Sequence, residues 1–105
     1  MPPAAGRRAP ELRLRLDGYA THEDIWLRRV AILYQLMYAG DTDRVRLAAT
    51  LAANLDQTDF FIRKAMGWAL RQFARTDPDW VRAWLAAHAE QVSGLTRREA
   101  LKRLQ

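Results

Sequence analysis

A chain of 105 residues can build one modest domain, and with no cysteine it can hold no disulfide, thiolate metal site or cysteine nucleophile. Half of its residues are hydrophobic and four are tryptophan, which excludes a disordered polymer, and no apolar run approaches the ~18 residues of a membrane span. The formal net charge of +5 is uneven: residues 60–75 carry +4 and residues 96–105 carry +3, which points to a polyanionic partner unless the charge is only a solvated face.

Met1–Pro10 has basic residues but no apolar stretch, so it is not a secretory signal. Residues 1–9 read as a flexible tail and residues 10–105 as one helical domain. Without cysteine or a signal, the chain suits the cytoplasm. Pro10 opens a short first helix, Glu11 to about Tyr19. Thr21, with Asp24 three residues on, predicts the start of a second helix running to about Ala39 and stopped by Gly40. Asp41 or Thr42 caps a third helix to about Leu55, and Thr58 or Asp59 starts a fourth. Asp77-Pro78 starts a fifth, with an N-cap followed by proline at the first helical position. Ser93-Gly94 breaks that helix, and Thr96 with Glu99 predicts a capping box for a short last one. No segment alternates with period two, so the chain is all-α, with five to six helices and no strands.

One echo runs through it. DIWLRR begins at Asp24 and DFFIRK at Asp59, 35 residues apart, each an acid, two large apolar residues, an aliphatic and two bases. A helix pair repeated at this period predicts an α-solenoid of the HEAT kind. The alternative is that acidic first turns and later bases suit any helix dipole.

The usual catalytic devices are missing. His22 and His88 lie 66 residues apart with no ligand-spaced partner, and the only serine, Ser93, sits in a helix-ending turn with no base beside it. There is no glycine-rich phosphate loop. The sequence therefore offers no catalytic residue, no metal site and no cofactor.

The fourth helix carries the one distinctive signal. At 100° per residue, Ile62, Met66, Ala69, Leu70 and Phe73 form a core stripe. Phe60, Lys64, Gly67, Trp68, Arg71 and Arg75 fall on the opposite side. Lys64, Arg71 and Arg75 are spaced to track a phosphate backbone. Gly67 lets a partner backbone come close, at a helix cost of about 1 kcal/mol relative to alanine. Trp68 can pack on a sugar or base, or it can pack with Phe60 against a neighbouring helix. Arg29 is a second oddity. It sits toward the apolar sector of its helix, where it needs a carboxylate or a phosphate, and by the echo it corresponds to Lys64.

DIWLRRVAILYQLMY, FFIRKAMGWALRQFARTDPDWV and LTRREALKRL together resemble the C-terminal half of the DNA alkylation repair enzymes, the HEAT-like-repeat alkylpurine DNA glycosylases. The resemblance covers about residues 9–104. It implies a right-handed superhelix of antiparallel helix pairs whose basic concave face cradles duplex DNA, and excision of 3- and 7-alkylated purines. It also implies that Trp68 lines the lesion site, that Arg29 contacts DNA near it, and that Lys64, Arg71 and Arg75 face DNA.

One departure matters. The family's catalytic aspartate follows two tryptophans in a motif that has no counterpart here, and nothing around Asp17 matches it. Glycosidic cleavage needs such a carboxylate. The expectation is a truncated or split form that binds double-stranded DNA, alkylated or abasic, and is inactive alone. It would have no membrane partner, and it would either meet a complementary N-terminal chain or self-associate through an uncovered repeat face. The alternative is a non-enzymatic scaffold that uses such a face to hold a protein or a second copy of itself.

Overall fold

The computed structural model describes residues 10–102 and 104. The tail expected over residues 1–9 lies outside them. Among the described residues six α-helices follow in order: α1 (Pro10–Gly18), α2 (Ile25–Leu33), α3 (Arg44–Ala53), α4 (Phe60–Phe73), α5 (Pro78–Ala87) and α6 (Gly94–Leu101). Two 3-10 turns, Tyr19–Thr21 and Ala39–Asp41, punctuate the first half. Among the described residues there is no strand, and no helix is long and apolar enough to cross a membrane. The all-α helical-repeat architecture is as the periodicity predicts.

Each helix after α1 starts on a side-chain cap. The carboxylate of Asp24 accepts from Trp26 N at 2.8 Å, Asp43 from Arg46 N at 3.1 Å, and Asp77 from Trp80 N at 3.1 Å. Asp59 accepts from both Phe61 N and Ile62 N, and Ser93 Oγ accepts from Thr96 N. These groups satisfy amides that the first helical turn leaves unpaired. Three predicted starts therefore move: the caps are Asp24, Asp43 and Ser93 rather than Thr21, Asp41 or Thr42, and Thr96. The predicted end of α2 also moves, from Ala39 back to Leu33. Beyond Leu33 the chain tightens into three-residue hydrogen bonds, Leu36 N to Leu33 O and Tyr38 N to Gln35 O. The buried Gln35 amide then exchanges two bonds with the Asp43 backbone, at 2.6 and 3.2 Å. The left-handed residue in this turn is Ala39 (φ 49°), not Gly40.

The molecule measures 34 × 30 × 18 Å, so it is about two helix diameters thick. One layer runs α2, α4, α6, with α4 between the other two. The core lies beneath it: Ile32 from α2, Leu47 and Leu51 from α3, Ile62, Met66, Leu70 and Phe73 from α4, and Val81, Trp84 and Leu85 from α5. The expected core stripe of α4 is buried throughout.

The 35-residue echo has a structural counterpart. Arg28 Nε donates to His22 O, and Arg63 Nε donates to Gln57 O. Both span six residues, and both sit on helices capped by the aspartate of the repeated motif. Each guanidinium hooks the end of the turn that precedes its own helix. Asn54, fully buried, locks the first of these units by donating to Ala20 O and Thr50 O while accepting from Arg28 Nη1 at 3.0 Å.

Candidate nucleic-acid interface

α4 presents Lys64, Trp68 and Arg71 at intervals of four and three residues, so they form one surface stripe. Gly67 does not belong to it. It is buried, and a Cβ placed there would stand 2.4 Å from Glu99 Cβ and 3.2 Å from Thr96 O. The glycine lets α6 approach α4, not a nucleic-acid backbone as its place on the helical wheel suggests. Periodicity identifies a face of a helix but not what covers it.

α6 brings Glu99 against this stripe. Its side chain is 7% exposed, and Lys64 Nζ lies 3.2 Å and Lys102 Nζ 2.7 Å from one carboxylate oxygen. Arg71 Nη1 is 4.0 Å from the other. The hydrogen bond from Lys102, then that from Lys64, holds the Glu99 carboxyl below its usual pKa against the opposing effect of burial. The three cations stay partly in solvent, at 29% (Lys64), 39% (Arg71) and 50% (Lys102) exposure. The Trp68 ring is partly open and shares a shallow recess with Leu36, Arg71 and Gln72. Arg75 lies just beyond α4, exposed.

Arg29 is one helix away. Among the described residues it has neither an ion pair with a carboxylate nor a hydrogen-bond partner for its buried Nε. Its guanidinium carbon sits 5.0 Å from the Trp26 ring centre and 5.8 Å from that of Phe61, within cation–π range of both. Trp26 and Phe61 are 70% and 56% exposed. With Ile25, Glu23 and Asp59 they line an open recess around Arg29. In the echo Arg29 and Lys64 are equivalent, and each is met by the next helix of the layer. For Arg29 that neighbour supplies an aromatic ring, and for Lys64 it supplies an acid.

Sequence reasoning passed over Trp26 and Phe61 as ordinary apolar positions, and Glu99 as half of a capping box. The signal for the aromatics was present, since both stand two residues after the repeated aspartate. Only Lys102, three residues on, is local to Glu99; its partners on α4, Lys64 and Arg71, lie 35 and 28 residues away and leave no local mark. Asp17 is engaged structurally. One oxygen accepts from the Tyr34 hydroxyl at 2.8 Å, and the other pairs with Arg46, which also reaches Asp43 at 3.2 Å. Burial first, and then the Asp17 contact, pushes the Tyr34 hydroxyl well above its usual pKa. His88 stacks on Trp84, ring centres 4.4 Å apart, and its Nδ1 lies 2.8 Å from Trp84 O.

These features define an all-α repeat protein with a cationic and aromatic outer face on its α2–α4–α6 layer. Residues 4–104 match the family of DNA alkylation repair enzymes, and the chain belongs to that family. It is similar to the solved structure of a predicted DNA alkylation repair enzyme from Enterococcus faecalis, with a TM-score of 0.81 and 33% sequence identity. That match covers 88% of this chain and 43% of the other, so the chain spans less than half the length of that relative. No curated protein matches it.

Proposed function

We propose that this chain is the DNA-binding half of an alkylpurine DNA glycosylase architecture, gripping duplex DNA through Arg29, Lys64, Trp68, Arg71 and Arg75. The observation that carries the reading is the stripe on α4. In a member of a DNA repair family, two long cations flank a half-open tryptophan on one helix face. Phosphates would take the outward donors of Lys64, Arg71 and Arg75, and Trp68 would pack against a sugar or base. In this reading the layer is HEAT-like, its face is the concave one, and the lesion-bearing strand lies near Trp68 and Arg29. A 3- or 7-alkylated purine is cationic, so an aromatic face suits it.

Bond breaking is a separate matter. The aspartate motif that the resemblance assigns to it has no counterpart in these 105 residues, and the two oxygens of Asp17 are held by Tyr34 and Arg46. The chain alone therefore binds without cleaving.

Release of 7-methylguanine from alkylated duplex DNA, run beside binding curves on intact and abasic duplexes at several salt concentrations, tests both parts. The expected result is no release, with salt-sensitive binding that Trp68→Ala and Arg71→Ala each weaken by about tenfold. Robust release would overturn the inactivity. Absence of salt-sensitive binding would overturn the DNA reading, and self-association indifferent to salt would favour the scaffold instead.

A further inference from the structure

A DNA-binding face needs positive charge, and Glu99 subtracts from it. Burying a carboxylate is unfavourable unless it is paired. Packing alone does not call for an acid here, because the contact with Gly67 is made by the aliphatic Cβ and Cγ of Glu99. What the carboxylate contributes is geometry. It accepts from Lys64 and Lys102 on one oxygen and draws Arg71 toward the other. Lys64 and Arg71 are two turns apart on α4, and Lys102 caps the end of α6. Unrestrained, each of these long side chains would sample many rotamers and lose that freedom on binding. An ammonium has three donors and a guanidinium five, so a bond to Glu99 leaves donors facing solvent.

We propose that Glu99 is a positioning residue for DNA phosphates, holding Lys64 and Arg71 of α4 and Lys102 of α6 in one preformed array, so that α6 is part of the DNA-binding surface. This deepens the DNA-binding reading and rests on it.

The test is equilibrium binding of the whole chain to an undamaged duplex across a salt series, for the unaltered protein, Glu99→Gln, Lys102→Met and the double variant Lys64→Met/Arg71→Met. Glu99→Gln keeps the shape and raises the net charge by one, so charge counting alone predicts tighter binding and a steeper salt slope. Positioning predicts the reverse: binding about tenfold weaker, with a slope shallower by about one to two. It further predicts a smaller loss when Glu99→Gln is added to the double variant, where only Lys102 is left to position. A purely structural role would leave the salt slope of the folded protein alone and would persist undiminished in the double variant. Unchanged or tighter binding by a folded Glu99→Gln chain overturns the proposal. If that variant does not fold, Lys102→Met decides: a slope shallower by about one supports α6 as part of the surface, and an unchanged slope overturns it. If the unaltered chain shows no salt-dependent binding, the DNA reading falls and this inference with it.

Discussion

α4 meets two neighbours in its layer, and the two contacts are built on different chemistry. Against α6 it offers Gly67 and receives Glu99, so the backbones come close and the charges are tied together. Against α2 it offers Phe61, which with Trp26 leaves Arg29 flanked by rings and, among the described residues, its Nε without a hydrogen bond. The first contact is closed and specified by sterics and charge, and the second is open and aromatic. Equivalent positions in a repeat thus share a backbone frame without sharing a role. What occupies the next helix decides whether a cation is held by an acid or kept between rings.

The largest effect should come from breaking the closed contact. Gly67→Ala brings a methyl group to 2.4 Å from Glu99 Cβ, and neither backbone can yield cheaply. The gain in helix propensity is about 1 kcal/mol, while overpacking costs up to ~3 kcal/mol, so a net loss of about 2 kcal/mol is expected in urea unfolding. A stability equal to or above that of the unaltered chain would mean that α6 is not fixed against α4.

Next is the anchor beneath the open side. Asn54→Ala leaves Ala20 O, Thr50 O and one Arg28 donor without that partner, and chemical denaturation should show a loss of about 1.5 kcal/mol.

Acid should separate the two contacts. The folded pKa of Glu99 is depressed, so its contribution to stability is complete above the unfolded value of about 4.3 and is lost as pH falls through the folded one. The groups that face it are Lys64 and Arg71 from α4 and Lys102 from α6. Melting temperatures of the unaltered chain and of Glu99→Gln should differ at pH 7 and converge as pH falls through the folded pKa of Glu99. A difference that does not change with pH would mean that ionisation of Glu99 is not its source.

The smallest effect is expected on the open side. Phe61→Ala removes an exposed ring and one cation–π contact, and its stability cost should stay below ~1 kcal/mol. A larger loss would mean that the aromatic contact, not the glycine contact, organises the layer.

Much of this frame was legible beforehand. Thr58 or Asp59, of which Asp59 is the cap, and Asp77-Pro78 marked the starts of α4 and α5, and the spacing of Ile62, Met66, Leu70 and Phe73 marked the face that α4 buries. The echo of DIWLRR in DFFIRK predicted the stacked layer. These features are local, because a cap acts within one turn and a stripe within four. Gly67, Glu99 and Arg29 were misread or half-read for the opposite reason, since each takes its meaning from a neighbouring helix. The length of α2 was missed because Gln35, a residue compatible with a helix, binds the Asp43 backbone instead.

The two arginine hooks carry a consequence for how such a chain can change. Arg28 and Arg63 grip main-chain carbonyls, supplied by His22 in one case and by Gln57 in the other. A carbonyl is the same whichever side chain accompanies it, so substitutions in those turns leave the joint intact. An inserted or deleted residue between hook and carbonyl would break it. The hinges of this stack are thus specified by counting, and the letters between the counted positions are free to drift.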